Sequence, residues 1–261
     1  MFEGQSVAIT GANGGIGRAI AEMFIAEGAK VAISDLKCPD ATAADIGAVG
    51  FACDVTKENE VVDFIDFAGA ANGPVDVYVS NAGVGFGDGP HVGGASNNAW
   101  ALSWQVNVMS SVYAGRALLP HWIERGRGRF VITASAAGLL NQIGSASYSA
   151  TKHAAVGYAE NMAIMHKDDG ISVHCICPQY VKTNMTKGFE MAENSRDGLL
   201  EPSDVAKALK ASCKAEEFLV LSHPVVGEYF KHKGMSYQRY IEGMAKLKQK
   251  VGGDTMPTME S

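Results

Sequence analysis

The chain has 261 residues, 47% of them hydrophobic, with 22 basic and 28 acidic side chains and a net charge of −6. This length suits one large α/β domain or at most two small ones, and the composition fits disordered, fibrous and disulfide-scaffold proteins poorly. Phosphate contacts need clustered Lys and Arg, and no such cluster is present, so we expect no nucleic-acid partner. Glycine is abundant, with 30 residues.

The cysteines and the hydropathy pattern bear on the compartment. There are five cysteines, an odd number, scattered through apolar stretches, which favours reduced thiols. The first ten residues, MFEGQSVAIT, lack the basic region and apolar run of a secretory signal. No window of about 18 apolar residues indicates a membrane span. We therefore expect a cytoplasmic protein with no membrane partner.

Short β-branched runs alternate with helical patterns along the chain, which is typical of βαβ units. The predicted strands are Ser6–Thr10, Val31–Asp35, Val49–Cys53, Val75–Ser80, Phe130–Ala134, Ser172–Cys177 and Phe218–Leu221. The predicted helices are Ile16–Ala26, Val61–Ala71, Ala99–Ile123, Tyr148–His166 and Ser203–Cys213. Since crossovers between parallel strands are right-handed, these units predict one doubly wound (Rossmann) α/β domain over residues 1–261, a seven-stranded parallel sheet with helices on both faces.

Three irregular segments follow the carboxyl ends of strands, where open α/β sheets bind ligands. They span residues 84–98, 138–144 and 184–200. We expect residues 184–201 to form a substrate lid. The stretch from 224 to 251 predicts a C-terminal amphipathic helix, which either docks on the surface, covers a partner's active site or replaces a subunit contact.

A glycine-rich turn joins the first strand to the first helix. It reads TGANGGIG and spaces its glycines as Gly-x-x-x-Gly-x-Gly, at Gly11, Gly15 and Gly17. Such glycines let the backbone approach a pyrophosphate, which the amides and dipole at the helix N-terminus attract. A glycine turn can also be purely structural, but the position between a strand and a helix favours a dinucleotide site.

Asp35 ends the second predicted strand, at the distance beyond Gly17 where an acidic residue would hold the ribose hydroxyls of NAD. Two like charges about 4 Å apart at an effective dielectric constant of 20 repel by roughly 4 kcal/mol, which would exclude the 2′-phosphate of NADP. The nearest cation is Lys37, which we interpret as a solvated surface charge. The sequence therefore favours NAD as the cofactor.

Tyr148 and Lys152 share one face of a predicted helix in the pattern Tyr-x-x-x-Lys. A free phenol has a pKa near 10, and about 4 kcal/mol of differential stabilisation would bring it close to neutrality. A nearby ammonium and an oxidised nicotinamide could supply it. By itself, however, the pattern also occurs on many helices as a half-buried Tyr and a solvated Lys.

From Ser6 to about Leu209, the sequence resembles the classical branch of the short-chain dehydrogenase/reductase family. TGANGGIG is similar to the family's cofactor turn, NAG at residues 81–83 to its fourth-strand motif, and YSATK at residues 148–152 to its active-site motif. Ser135, which precedes Tyr148 in the run Ser-Ala-Ala-Gly, is similar to the catalytic serine, and Asn107 to the fourth active-site residue.

The resemblance implies a role for each of these four residues. Tyr148 would exchange a proton with the substrate oxygen, and Ser135 would donate a hydrogen bond to the same oxygen. Lys152 would lower the pKa of Tyr148 and bind the nicotinamide ribose, and Asn107 would hold a water for proton relay. The implied cofactor-binding residues are Gly11, Asn13, Gly15, Ile16, Gly17, Asp35, Asp54, Val55, Asn81, Ala82, Gly83, Tyr148, Lys152, Pro178, Val181 and Thr183.

The expected activity is hydride transfer between NAD and an uncharged, partly hydrophobic secondary alcohol or ketone, in a homodimer or homotetramer. One alternative is an NADPH-dependent carbonyl or acyl-thioester reductase, and another is a non-catalytic NAD-binding regulatory protein.

No metal site is expected, because Cys175 and Cys177 lack a second ligand pair and favour core packing. Gln179 departs from the family, which usually has glycine there, and His91 is a candidate substrate contact.

Overall fold

The computed structural model describes residues 1–187, 195 and 197–251. Seven strands form one parallel sheet in the order β3-β2-β1-β4-β5-β6-β7. They are β1 Ser6–Thr10, β2 Lys30–Asp35, β3 Val49–Ala52, β4 Val77–Ser80, β5 Gly128–Thr133, β6 Ile171–Ile176 and β7 Leu219–Val220. The predicted doubly wound α/β fold is confirmed, and only the ends of the strands differ, by one or two residues.

The helices lie between and after these strands. They are α1 Gly15–Ala26, α2 Asp40–Ile46, α3 Glu58–Asn72, α4 Asn97–Trp104, α5 Ser110–Arg125, α6 Ala146–Met165, α7 Pro202–Ala215, α8 Val225–Met235 and α9 Tyr237–Val251. Helix α2 was not predicted, because so short a helix does not show a helical period. The single C-terminal helix predicted over 224–251 is two helices, since Ser236 is extended (φ −155°) and separates α8 from α9.

The two faces of the sheet are covered by different helices. Successive residues of a strand point to opposite faces, and in β1 Ala8 packs on one side while Val7 and Ile9 pack on the other. Helices α3, α5 and α6 cover the Ala8 face, and α1 and α7 cover the opposite one. Cys175 and Cys177 are fully buried in the Ala8-face core, as expected of packing residues.

The long helix predicted over residues 99–123 is interrupted by a π-helical segment, Gln105–Met109. The Ser110 amide there donates to the Gln105 carbonyl, five residues back, and the Ser110 hydroxyl donates to the Val106 carbonyl at 2.6 Å. Such wide turns rotate the residues they contain relative to a regular helix. Asn107, in the middle of this segment, is buried, at 4% exposure.

The order in which strands are added to the sheet changes direction between β1 and β4, which are neighbours in the sheet. The chain runs from β1 outward to β3 and then crosses to β4, so the loops after β1 and β4 diverge at the carboxyl edge. A crevice opens at that point. In the described part of the chain, no helix combines the length and the apolar character needed to cross a bilayer.

Candidate active site

A cavity of about 730 Å³ lies at the carboxyl ends of the strands. Fifteen of the sixteen predicted cofactor-binding residues border it, Gly17 being the exception. Ser135, Tyr148 and Lys152 border it as well, whereas Asn107 does not. The remaining lining residues are Gly14, Leu36, Cys53, Thr56, Val84, Leu102, Val106, Thr133, Ala134, Gln179, Asn184, Met185 and Thr186.

The glycine turn after β1 is so tightly packed that side chains are excluded. Gly11 has φ +63°, and a Cβ there would lie 2.7 Å from the Ala82 Cα. A Cβ on Gly17 would lie 2.4 Å from the Gly11 carbonyl oxygen. At Gly14, by contrast, a Cβ would meet nothing within 4 Å. The cradle therefore presents bare backbone at the start of α1, which fits a pyrophosphate group.

Asn81, directly after β4, ties this turn to the rest of the crevice. Its Nδ2 donates to the carbonyls of Thr10 at 3.1 Å and Gly11 at 2.9 Å, and its Oδ1 accepts from the Thr133 hydroxyl at 3.1 Å. One side chain thus links the ends of β1, β4 and β5. This linkage fixes the width of the crevice where a dinucleotide would cross it.

Asp35 lies at the far end of the cavity, at the end of β2. Its carboxylate accepts from the amides of Asn13 at 3.1 Å and Leu36 at 2.9 Å. The Asn13 side chain is held in turn by the Thr42 hydroxyl at 2.8 Å. Among the described residues that line the cavity, Lys152 is the only Lys or Arg, so no lining cation balances the charge of Asp35. Lys37 is exposed and does not border the cavity.

Asp54, which follows β3, forms a second acidic position near Asp35. Its Oδ1 accepts from the amide and hydroxyl of Thr56, and its Oδ2 lies 3.4 Å from the Lys57 ammonium. Burial opposes ionisation, but the hydrogen bonds from Thr56 and the ion pair with Lys57 prevail and lower the pKa of Asp54. The carboxylate is therefore fixed as an anion beside Val55.

Three polar side chains meet at the opposite end of the cavity. Tyr148 is 7% exposed and Lys152 is 3% exposed, both on α6. The Lys152 ammonium donates to the Thr133 carbonyl at 2.9 Å and lies 5.6 Å from the centroid of the Tyr148 ring. The Ser135 Oγ accepts from the Ala137 amide at 3.1 Å and donates to the Pro178 carbonyl at 3.5 Å.

Burial dominates the titration of Tyr148 and Lys152 in the protein alone. Burial raises the pKa of Tyr148, and a hydrogen bond with the Ser135 hydroxyl only partly opposes it. Burial also lowers the pKa of Lys152 to about 8. The Lys152 ammonium is turned towards the Thr133 carbonyl. A lowered pKa of Tyr148 in the presence of an oxidised nicotinamide stays a prediction.

Asn107 lies behind the cavity rather than in its wall. Its Oδ1 accepts from the Val84 amide at 2.9 Å, and its Nδ2 donates to the Val84 carbonyl at 2.9 Å and to the Thr151 hydroxyl at 3.0 Å. Gly83 lies between Asn107 and Lys152, since a Cβ there would be 3.4 Å from the Asn107 Oδ1 and 3.3 Å from the Lys152 Nζ. The relay role of Asn107 stays a prediction.

The sequence did not reveal the contribution of the C-terminal extension. Lys233, on α8, is 6% exposed and donates to the carbonyls of Leu139 at 2.7 Å and Leu140 at 3.2 Å. These carbonyls belong to the segment that follows Ser135. A buried lysine 94 residues away in sequence therefore anchors this segment, and only a lysine on the otherwise apolar face of an amphipathic helix could have signalled it.

Other predicted contacts differ from the structure or lie outside it. His91 is exposed and does not border the cavity. Part of the lid predicted over 184–201 lies outside the described residues. Its apolar residues Phe189 and Met191 belong to that part. Within the described residues, no group of three or more His, Cys, Asp or Glu is placed to hold a metal ion.

Comparisons with known proteins agree with this geometry. The family model described as short chain dehydrogenase matches residues 5–194. The chain is 34% identical over 208 residues to 3beta-hydroxysteroid dehydrogenase 2 from Eggerthella lenta, and the aligned region covers 76% of this chain and 78% of that protein. It is also 34% identical over 224 residues to meso-2,3-butanediol dehydrogenase from Serratia marcescens, and here the aligned region covers 80% of this chain and 86% of that protein.

A solved structure is similar over nearly the full length. It is a short chain dehydrogenase/reductase from Burkholderia phymatum in complex with NAD, with a TM-score of 0.79, 27% identity, and coverage of 91% of this chain and 96% of that one. The chain belongs to the short-chain dehydrogenase/reductase family, whose members are oxidoreductases that bind a nicotinamide cofactor.

Proposed function

We propose that the protein is an NAD-dependent dehydrogenase that interconverts a secondary alcohol and its ketone. One observation carries the proposal: Ser135, Tyr148 and Lys152 meet at one end of a cavity whose other end is a glycine cradle followed by Asp35. The cavity thus offers a proton donor and a dinucleotide site in one continuous space. The relatives named after a hydroxysteroid and a butanediol support a secondary-alcohol substrate.

Tyr148 is the group that exchanges a proton with the substrate oxygen. A raised pKa keeps the phenol protonated, which suits donation to a carbonyl oxygen during reduction. Ser135 stabilises the same oxygen, because its long 3.5 Å bond to Pro178 is easily exchanged for a bond to substrate. A bound nicotinamide supplies or accepts the hydride.

Lys152 links Tyr148 to the proton supply. With a pKa of about 8 it can lose a proton near neutral pH, and its ammonium is held by the Thr133 carbonyl. During alcohol oxidation the phenol must lose its proton, and any added positive charge near Tyr148 lowers the cost. Asn107, on the other side of Gly83, would hold a water next to Lys152; its nearness to Gly83 supports this role.

The choice of NAD over NADP rests on Asp35. Its carboxylate is fixed by two backbone amides, and among the described lining residues no Arg or second Lys accompanies it. A 2′-phosphate about 4 Å from this carboxylate would be repelled by roughly 4 kcal/mol at an effective dielectric constant of 20. This repulsion disfavours an NADPH-dependent carbonyl or acyl-thioester reductase. The chain carries all four polar residues of the expected active site, which disfavours a non-catalytic NAD-binding protein: Asn107, Ser135, Tyr148 and Lys152.

Two properties of the whole protein belong to the same proposal. Large apolar side chains are exposed on helices α4 and α6, which favours a homodimer or homotetramer: Trp100, Trp104, Ile164 and Met165. All five cysteines are free thiols, four of them buried, which favours a reducing compartment such as the cytoplasm.

The test combines cofactor binding with turnover. Fluorescence titrations with NADH and NADPH should show tighter binding of NADH. A panel of secondary alcohols, followed at the nicotinamide absorbance, should contain substrates. Tyr148→Phe should retain NADH binding and lose about 10²- to 10⁴-fold in kcat, since it removes only the acid–base group. Near-normal turnover in this variant, or the absence of any alcohol or ketone substrate despite tight binding of NADH, would overturn the proposal.

A matched control is available in Tyr113→Phe. The Tyr113 hydroxyl donates to the Gln105 side chain at 3.0 Å, and Tyr113 does not border the cavity. This substitution also removes one hydrogen-bonded phenol hydroxyl, so it should cost some stability while kcat stays near the wild-type value.

A further inference from the structure

Helix α6 carries two residues of the reacting end of the cavity, and they are held in different ways. Lys152 is held by its own ammonium, which donates to the Thr133 carbonyl at 2.9 Å. Tyr148 lies in the first turn of the helix, two residues after Ala146. The amides of a first turn have no partner within the helix itself. The groups that bind this turn therefore bear on where the Tyr148 phenol lies.

Ser145 stands just before α6, where a serine side chain usually accepts from an amide of the helix that follows. Here its hydroxyl donates instead to the Phe86 carbonyl at 2.5 Å. Ser145 is fully buried. The serine therefore ties the start of α6 to the segment that follows β4, and the cap of the helix comes from elsewhere.

Asp88, 58 residues before Ala146 in the chain, supplies that cap. Both of its carboxylate oxygens accept from the Ala146 amide at 2.9 Å, and its own amide donates to the Gly144 carbonyl at 2.8 Å. Asp88 is 4% exposed, and a buried carboxylate is costly unless it is hydrogen-bonded. The amides at the N-terminus of a helix favour a negative charge. Asp88 and the first turn of α6 thus stabilise each other.

The backbone of Asp88 is supported from its other side by Gly94. A Cβ on Gly94 would lie 2.1 Å from the Asp88 carbonyl oxygen, so a side chain is excluded there. Phe86, Asp88 and Gly94 all lie outside the described lining of the cavity. An effect of Asp88 on the reaction must therefore pass through α6.

We propose that Asp88 and Ser145 are positioning residues for Tyr148, which fix the first turn of α6 so that the phenol meets the substrate oxygen. This inference rests on the proposed alcohol–ketone chemistry and deepens it. Loss of the Asp88 contact frees the first turn, whereas Lys152 keeps its bond to Thr133. Proton exchange with the substrate should therefore slow, while binding of the nicotinamide cofactor stays the same.

Asp88→Ala and Asp88→Asn form a matched pair. Alanine removes the acceptor, whereas asparagine has nearly the same size and keeps one oxygen that can accept from the Ala146 amide. The kinetics use NAD and the secondary alcohol that wild type oxidises fastest in a panel that includes cyclohexanol and 2,3-butanediol. Asp88→Ala should lower kcat by about tenfold to a hundredfold, the range expected when a reacting group is misplaced by up to 1 Å. Asp88→Asn should recover most of this loss, and the Kd for NADH should be the same in all three proteins.

A double variant with Tyr148→Phe separates positioning from general damage to the structure. Residues that act as a unit have effects that do not multiply. Once the phenol hydroxyl is gone, Asp88→Ala should therefore lower the residual activity by less than about twofold. Losses that multiply in the double variant would overturn the inference, and so would wild-type kcat in Asp88→Ala or an Asp88→Asn variant as slow as Asp88→Ala.

Asp76→Ala is the control. The Asp76 carboxylate also accepts from a backbone amide, that of Ser6 at 3.1 Å, but Ser6 begins β1 at the amino edge of the sheet, opposite the cavity. This variant should lose stability and keep the wild-type kcat. If circular dichroism shows that Asp88→Ala does not fold, Ser145→Ala takes its place. It should lower kcat severalfold without changing the Kd for NADH, and an unchanged kcat would overturn the inference.

Hydrogen exchange keeps the inference separate from the proposed reaction. Amides in the first turn of α6 should exchange faster in Asp88→Ala than in wild type or Asp88→Asn, while amides around Lys152 keep the wild-type rate. If exchange changes in this way but no alcohol or ketone is ever turned over, the proposed reaction fails and the positioning of the first turn by Asp88 stands. If exchange in Asp88→Ala equals that of wild type, the inference is overturned whatever the turnover.

Discussion

The two ends of the cavity are built by different means. At the cofactor end, bare backbone in the glycine cradle meets short side chains that follow β1, β2 and β4, all of them before Val84 in the chain. At the substrate end, side chains from distant parts of the chain meet: Tyr148 from α6, Gln179 after β6, and Lys233 from α8 behind the wall. A site made of backbone constrains which side chains must be absent, whereas a site made of side chains constrains which must be present.

The largest expected effect concerns the acidic side chain at the cofactor end. Asp35→Ala removes the roughly 4 kcal/mol repulsion of a 2′-phosphate. The ratio of kcat/KM for NAD to that for NADP should therefore fall by up to about a thousandfold. The measurement is steady-state kinetics with both cofactors. Asp66→Ala, an exposed carboxylate on α3, is the control, and a similar shift there would mean that net charge alone sets the preference.

Two glycine substitutions separate folding from binding at the cradle. Gly17→Ala places a Cβ 2.4 Å from the Gly11 carbonyl, so it should lower the free energy of unfolding by about 3 kcal/mol, the upper end for overpacking. Gly14→Ala meets no protein atom within 4 Å and borders the cavity, so it should leave unfolding unchanged and weaken NADH binding. Denaturant unfolding and NADH titration on both variants would show the contrast, and identical behaviour would contradict it.

At the substrate end, the buried ammonium of Lys233 should matter for stability. Lys233→Met leaves the carbonyls of Leu139 and Leu140 without this donor, and the expected loss is about 2 kcal/mol in the free energy of unfolding. KM for the ketone should rise while the Kd for NADH stays the same. Lys231→Met, on the exposed side of the same helix, should change neither quantity. An equal loss in both variants would show that α8 does not act through Lys233.

The smallest expected effect links stability to pH at the junction of the two ends. Lys152 has a pKa of about 8 in the folded protein against an ordinary 10.5. At a pH between these two pKa values, Lys152 keeps its proton in the unfolded chain and has lost it in the folded protein. The free energy of unfolding therefore increases as the pH rises. Between pH 8 and 9, wild type should gain about 1 kcal/mol relative to Lys152→Met.

Buried thiols act in the opposite direction, because burial raises the pKa of Cys53 to about 12 and that of Cys213 to about 11. Their effect is common to wild type and Lys152→Met, so it cancels in the difference between the two unfolding curves. A difference that does not change with pH would contradict the lowered pKa of Lys152.

Sequence reasoning succeeded where the signal was local. The strands and the Gly-rich turn lie within short windows, and Tyr148 and Lys152 are one helical turn apart on the same helix. It did not anticipate desolvation, which raises the pKa of Tyr148 in the protein alone. It also failed at the π-helical segment around Asn107, because the apolar pattern of that stretch is continuous with a regular helix.

The contacts of the substrate end were out of reach for a different reason. Lys233 and Tyr229 carry no motif, and each acquires its meaning only from a group far away in sequence, the Leu139 carbonyl and the Asp197 carboxylate. Gln179 was recognised as unusual, but the orientation of its carboxamide depends on a hydrogen bond to Asp197. Periodicity identifies which face of an element is buried and leaves open what that face will meet.

The contact between Lys233 and Leu139 means that the two ends of the cavity are completed at different times during synthesis of the chain. The elements of the cofactor end have all left the ribosome once β4 and Gly83 have emerged, whereas the segment after Ser135 lacks its anchor until a lysine 94 residues downstream of Leu139 has been added. Ribosomes add on the order of ten amino acids each second, so the residues from Gly83 to Lys233 take on the order of 15 s to synthesise. The residues of the glycine cradle are therefore all synthesised long before the wall that will face the substrate has its final support.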